Sequence, residues 1–144
     1  MSVEDFYDRQ TYDFYKVKGD TIFLKLEFFD STNTGINISQ FGIKFTLRDP
    51  ITDLPIMRLQ KTRDGYNTVP VINGIYTLAD TPGNLGMGLT GSNQIVVHLL
   101  PVESNMLDKE IYPFDVEFLI KGVYEAVFTQ KGHLILNRDV TPNV

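Results

Sequence analysis

Three stretches of the chain alternate apolar and polar residues with a period of two. In Gly42-Ile43-Lys44-Phe45-Thr46-Leu47-Arg48-Asp49 the apolar Ile43, Phe45 and Leu47 are separated by Lys44, Thr46 and Arg48. That spacing places three apolar side chains on one face of a strand and would scatter them around a helix. Residues 21–29 repeat it, with Ile22, Leu24, Leu26 and Phe28 on one side and a partly polar row of Phe23, Lys25, Glu27 and Phe29 on the other. Tyr112-Pro113-Phe114-Asp115-Val116-Glu117-Phe118 turns Tyr112, Phe114, Val116 and Phe118 inward. Pro113 near its start suits the first residues of a strand or an edge. Shorter strands are predicted at residues 56–60, 74–79, 94–100, 123–130 and 133–138, the last two read as a hairpin closed by Lys131-Gly132.

Between these runs the turn chemistry is explicit. Asn33-Thr34-Gly35, Asp49-Pro50, Asp64-Gly65, Asn73-Gly74 and Thr81-Pro82-Gly83-Asn84 supply residues that tolerate positive φ or preset a turn. One helical hint exists, Pro101-Val102-Glu103-Ser104-Asn105-Met106-Leu107, with proline in the first turn and an acid behind it; it predicts one or two turns. Many short strands without a long amphipathic helix predict an all-β, antiparallel β-sandwich of immunoglobulin-like type. No internal repeat is present. Residues 1–20 stand apart from the sandwich of residues 21–144: Phe6, Tyr7, Tyr12, Phe14 and Tyr15 are interleaved with Glu4, Asp5, Asp8, Arg9, Asp13, Lys16 and Lys18. This segment is either a first strand on the domain's own sheet or an arm that reaches a neighbouring subunit, since large, rigid aromatics are what interfaces use as anchors.

Composition narrows the function classes. At 144 residues, 42% of them hydrophobic and 22% charged, the chain fits one globular domain. Thirteen basic against 18 acidic residues give a net charge of −5, a poor match for a nucleic-acid-binding surface. The absence of cysteine removes disulfides, thiolate zinc sites and cysteine nucleophiles together. The N-terminal run Met1-Ser2-Val3-Glu4-Asp5-Phe6-Tyr7-Asp8 is acidic where a secretory signal would be basic and then apolar, and no apolar run is long enough to span a bilayer, so synthesis and folding in a cytoplasm are expected.

Catalytic and metal-binding constellations are thin. Ser92 in Gly91-Ser92-Asn93 lacks the second glycine and the strand-to-helix elbow of a hydrolase nucleophile. His98 and His133 lie in different predicted strands, too few for a zinc site without carboxylates from elsewhere. The loop Asp30-Ser31-Thr32-Asn33-Thr34-Gly35 starts like a calcium loop, but Thr occupies its third and fifth positions and Phe41 its twelfth, where a bidentate acid belongs. Gly83-Asn84-Leu85-Gly86-Met87-Gly88-Leu89-Thr90-Gly91 is followed by a strand, not by the helix a phosphate loop needs; it reads as a loop, with close approach by a partner subunit as the other reading. Asp115 and Glu117 share one strand face about 7 Å apart, and two carboxylates are the minimum of a glycosidase; alternation places them outward, where acids keep a strand soluble. No enzyme activity, cofactor, metal or small-molecule substrate is expected.

From Gln94 onward the run Ile95-Val96-Val97-His98-Leu99-Leu100 leads into Pro101-Val102-Glu103. Then come Tyr112-Pro113-Phe114-Asp115-Val116-Glu117-Phe118, Gly122-Val123-Tyr124, Gly132-His133-Leu134-Ile135-Leu136 and Asp139-Val140-Thr141. This order of elements resembles small bacteriophage virion structural proteins, among them the N-terminal immunoglobulin-like domain of phage baseplate upper proteins. Gly19-Asp20-Thr21-Ile22 and Ile43-Lys44-Phe45-Thr46-Leu47-Arg48-Asp49 look like the group's opening strands. The chain departs from the group at Asn105-Met106, where a Thr-Ala pair is usual, at Ile111, where a glycine is usual, and in its aromatic arm.

The resemblance implies a virion protein made in the bacterial host cytoplasm. It would bind other virion proteins and copies of itself, as a fibre or baseplate adaptor or a head-surface decoration protein. Phe6, Tyr7, Tyr12, Phe14 and Tyr15 are the expected partner-binding residues, with no nucleic acid or membrane involved. The alternative is a carbohydrate-binding module contacting a host surface through Tyr66, Tyr76 or Tyr124.

Overall fold

The computed structural model describes residues 12–30, 32–38, 41–61, 74–77, 90–119 and 126–137. Among these residues, eight strands and one short helix run in the order β1 (Tyr12–Val17), β2 (Ile22–Glu27), β3 (Gly42–Arg48), β4 (Pro55–Lys61), β5 (Ile75–Thr77), β6 (Gln94–Leu99), α1 (Pro101–Asn105), β7 (Ile111–Leu119) and β8 (Ala126–Asn137). They form a five-stranded sheet, β1-β8-β7-β3-β4, and a three-stranded sheet, β2-β6-β5. All the pairings are antiparallel except β1 on β8, which is parallel.

The alternation read from the sequence becomes the core. Ile22, Leu24 and Leu26 of β2 and Ile95, Val97 and Leu99 of β6 are buried in one cluster with Phe45, Leu47, Phe114, Val116, Phe118 and Leu134 of the larger sheet. Burying such side chains contributes about 1.5–3 kcal/mol each. Phe118 is the aromatic centre: its ring meets Phe28 edge-on at 4.7 Å and Phe41 at 5.8 Å. Pro113 sits one residue past the end of the β3 ladder, whose last pair is Leu47 with Phe114. A missing N–H is tolerated where a ladder stops.

Two expectations are corrected. Lys131-Gly132 is not a hairpin turn: β8 runs unbroken through it, and Gly132 pairs with Phe114 on one side and Tyr12 on the other. A Cβ at Gly132 would overlap the edge of the Phe114 ring and the Tyr12 carbonyl oxygen. The glycine is there for close approach, not for reversal. The sandwich is also not antiparallel throughout, because residues 12–17 of the N-terminal segment form a parallel edge strand on β8. The chain leaves that strand for the smaller sheet at Gly19, whose φ is +88°. Ser104 of α1 ties down this corner, its Oγ accepting from Gly19 N at 3.1 Å and donating to Asp20 O at 2.9 Å.

Candidate docking surface

Of the five aromatics expected to bind a partner, Phe6 and Tyr7 lie outside the described residues. Tyr12 and Phe14 pack against the chain's own core, their rings stacked with centroids 6.0 Å apart, and Tyr12 Oη donates to Glu27 O at 2.7 Å. Tyr15 points the other way, 67% exposed. Alternation along β1 explains the division: even positions face the core, and Asp13 and Tyr15 face out.

Among the described residues, further exposed apolar side chains stand in the β3–β4 turn and around α1, two elements whose residues line a common cleft. Asp49 builds the turn. Its Oδ1 accepts from Ile51 N at 2.8 Å and Thr52 N at 3.0 Å, Asp49 N donates to Leu54 O at 2.9 Å, and Asp53 takes a left-handed φ of 61°. The amide of Thr52, then that of Ile51, with a smaller contribution from Lys109, holds the Asp49 carboxyl at about 2. Because backbone groups and polar side chains complete the turn, Ile51 and Leu54 are left in solvent, 80% and 63% exposed. Opposite them, α1 is capped by Glu103, whose Oε1 accepts from Leu100 N at 2.8 Å. This one-turn helix presents Val102, and Met106 follows at its end; both are strongly exposed.

Between the two elements lies a cleft of about 400 Å³ lined by Ile56, Met57, Met106, Leu107 and Tyr112, with Asp49, Glu103 and Asp108 at its margin. Tyr112 is buried there, and its Oη accepts from Lys109 N at 2.7 Å. Burial raises the Tyr112 phenol above its ordinary value, so it stays protonated and reaches Asp108 Oδ1 at 3.3 Å. An open apolar cleft between two elements that also carry exposed aliphatics is what protein-binding surfaces look like. The sequence reading did not single out Ile51, Leu54, Ile56, Val102 or Met106. The available signal was a pair of large aliphatics inside a turn that needs none.

The outer face of the larger sheet carries a second, polar depression of about 420 Å³, bordered by Arg48, Asp115, Glu117, Lys131 and His133. Here the two carboxylates weighed for glycoside chemistry each hold a cation. Asp115 Oδ2 accepts from Arg48 Nε at 2.7 Å, and Glu117 Oε1 lies 3.5 Å from Lys44 Nζ. Asp115 raises the pKa of the Arg48 guanidinium. His133 Nδ1 is 3.0 Å from Asp13 Oδ1, bridging β8 to β1, whereas His98 is on the smaller sheet, its ring stacked on Phe23 at 4.8 Å. Asp30 spends its Oδ1 on Thr32 N, Thr32 Oγ1 and Thr34 N, which makes its loop a plain turn. Among the described residues no three His, Asp or Glu side chains are grouped to hold a metal ion, and no helix is long and apolar enough to cross a membrane. Tyr66, Tyr124, the Tyr76 side chain and residues 83–89 of the glycine-rich loop lie outside the described residues.

No family model and no curated protein matches the chain. Among solved structures it is similar to the NK cell receptor Nkp44, described as a triggering partner in natural cytotoxicity, across 90% of this chain and 100% of that one, with a TM-score of 0.51 at 8% sequence identity. Likeness at that identity is likeness of fold, and with the two facing sheets it makes this chain an immunoglobulin-like β-sandwich.

Proposed function

We propose that the chain is a structural protein of a bacteriophage virion that works by binding other protein subunits, as a fibre or baseplate adaptor or a head-surface protein. The observation that carries the binding role is the exposed apolar surface around the α1 cleft, where Ile51, Leu54, Val102 and Met106 are each more than half exposed. Large aliphatics on a sandwich whose core is already filled contribute nothing to folding and favour contact with another surface. The virion setting is supported by the resemblance of the run from Gln94 to phage structural proteins. Its partners are other virion proteins and copies of itself, and Phe6, Tyr7 and the outward Tyr15 belong to the same docking apparatus. The protein has no catalytic role, cofactor or small-molecule substrate, and it is made in the host cytoplasm.

Mass spectrometry of density-purified particles from cells carrying the phage genome tests the setting. Peptides of this chain at fixed stoichiometry are expected; their absence from particles would sink the reading. Light scattering on the full chain and on a chain lacking residues 1–11, which keeps β1 intact, tests the arm: a defined oligomer that falls to monomer on truncation is expected. An unchanged mass would remove Phe6 and Tyr7 from the self-interface.

A further inference from the structure

We propose that the α1 cleft takes a segment of a partner protein with aliphatic anchors flanked by lysine or arginine. The inference rests on the docking reading above and specifies the chemistry of its occupant. Three observations carry it.

First, the cleft is large enough for side chains of a partner, at about 400 Å³, within the ~300–1,000 Å³ range of ligand clefts. Close in sequence to its lining residues Ile56 and Met106 stand further exposed aliphatics, Ile51 and Leu54 in the turn before β4 and Val102 four residues before Met106. An open cleft with exposed aliphatics in both of the elements that line it suits a length of polypeptide better than a compact small molecule. Second, two methionines, Met57 and Met106, form its walls. Unbranched thioether side chains rearrange around different anchors, which is why adaptable peptide-binding surfaces use them.

Third, the margin is acidic. Asp49, Glu103 and Asp108 border the cleft, and the nearby cation, Lys109, is spent on Asp49 at 3.2 Å and on Asp108 at 3.8 Å. Three carboxylates against one ammonium leave a negative rim on a chain that is itself −5 overall. Glu103 is fixed at the start of α1, where its Oε1 accepts from Leu100 N, and Asp108 is strongly exposed. A neutral or acidic segment would leave those charges uncompensated at an apolar contact, whereas Lys or Arg beside the anchors pairs with them and steers approach.

Methyl spectra of the full chain labelled at methionine read the site directly, because Met57 and Met106 are two of only four methionines. The probes are two synthetic peptides, acetyl-Lys-Leu-Lys-Leu-Lys-amide and acetyl-Glu-Leu-Glu-Leu-Glu-amide. The lysine peptide is expected to shift the Met57 and Met106 methyls saturably and the glutamate peptide to leave them in place. Met106→Lys is expected to weaken the lysine peptide at least tenfold, and Asp108→Asn several-fold. Both side chains are mostly exposed, so both variants are expected to melt with the parent. Equal shifts from the two peptides would overturn the charge argument and leave a docking surface standing. No shift from either would overturn the inference while leaving the virion role to its separate test in purified particles.

Discussion

Gly132→Ala tests the close approach of the neighbouring strands at the middle of β8. Gly132 is buried in the middle of three adjacent strands, paired to Tyr12 of β1 and Phe114 of β7. An added methyl would overlap Phe114 Cζ and the Tyr12 carbonyl oxygen, and would lie 2.7 Å from Phe114 Cε2. The ring cannot withdraw, since it is 1% exposed and held by Phe45 at 5.4 Å and Phe14 at 6.0 Å. The carbonyl moves only if β1 lifts off β8, which loosens the Tyr12–Phe14 stack and the Tyr12 hydrogen bond to Glu27 O. Overpacking of this kind costs about 1–3 kcal/mol, and with the strain on β1 the expected loss is at the upper end, ~2–3 kcal/mol. For a domain of this size that is a fall in Tm of about 7–10 °C, measured by far-ultraviolet circular dichroism together with urea unfolding. Gly132→Asn separates a strand from a turn. Asparagine adopts the left-handed backbone of a tight hairpin and would be the milder change there; in a packed strand it is larger and polar, and must be worse than alanine. A Gly132→Ala protein within ~0.5 kcal/mol of the parent, the range of an innocuous surface change, or an asparagine variant more stable than the alanine one, would refute the reasoning.

Ser104→Ala strips the hydrogen-bond partner from Gly19 N and Asp20 O at the corner where β1 passes to β2; with Asp20 open to water the loss is the net worth of a hydrogen bond, about 0.5–1.5 kcal/mol, to be read as a lower urea midpoint with an unchanged slope. Phe118→Ala removes the ring between Phe28 and Phe41 from a fully buried position, at about 3–5 kcal/mol, a large share of the ~5–15 kcal/mol that holds a domain; a folded variant with parental melting would show that the sheets do not meet there. Asp49 has a carboxyl held at about 2 against an ordinary 3.8, so its stabilisation is complete above about pH 4 and is lost as pH falls towards 2. The gap in urea midpoint between the parent and Asp49→Asn should narrow across that window, and a gap that stays constant would show that the carboxylate is not what the turn binds.

Sequence periodicity revealed the core because the core repeats. Ile22, Leu24 and Leu26, or Phe114, Val116 and Phe118, meet one uniform environment at every second residue, so their pattern needs no knowledge of the partner sheet. The same pattern runs through Gly132: Gln130, Gly132, Leu134 and Leu136 are all buried, while Lys131, His133 and Ile135 alternate with them. The glycine leaves that period intact, and the space it vacates is occupied by Phe114, eighteen positions away along the chain and invisible locally. The parallel docking of β1 on β8 is likewise non-local, since Tyr12 and Phe14 declare an inward face but not whose core it enters. The candidate docking residues are illegible for the opposite reason. Ile51, Leu54, Val102 and Met106 stand in a turn and around a one-turn helix, outside any alternation, and only the folded chain brings them to one end of the sandwich. The core does not need them, so substituting them leaves the packing of both sheets unchanged. A loss of partner binding in Leu54→Ser or Met106→Lys therefore reports on the contact itself and not on the fold beneath it.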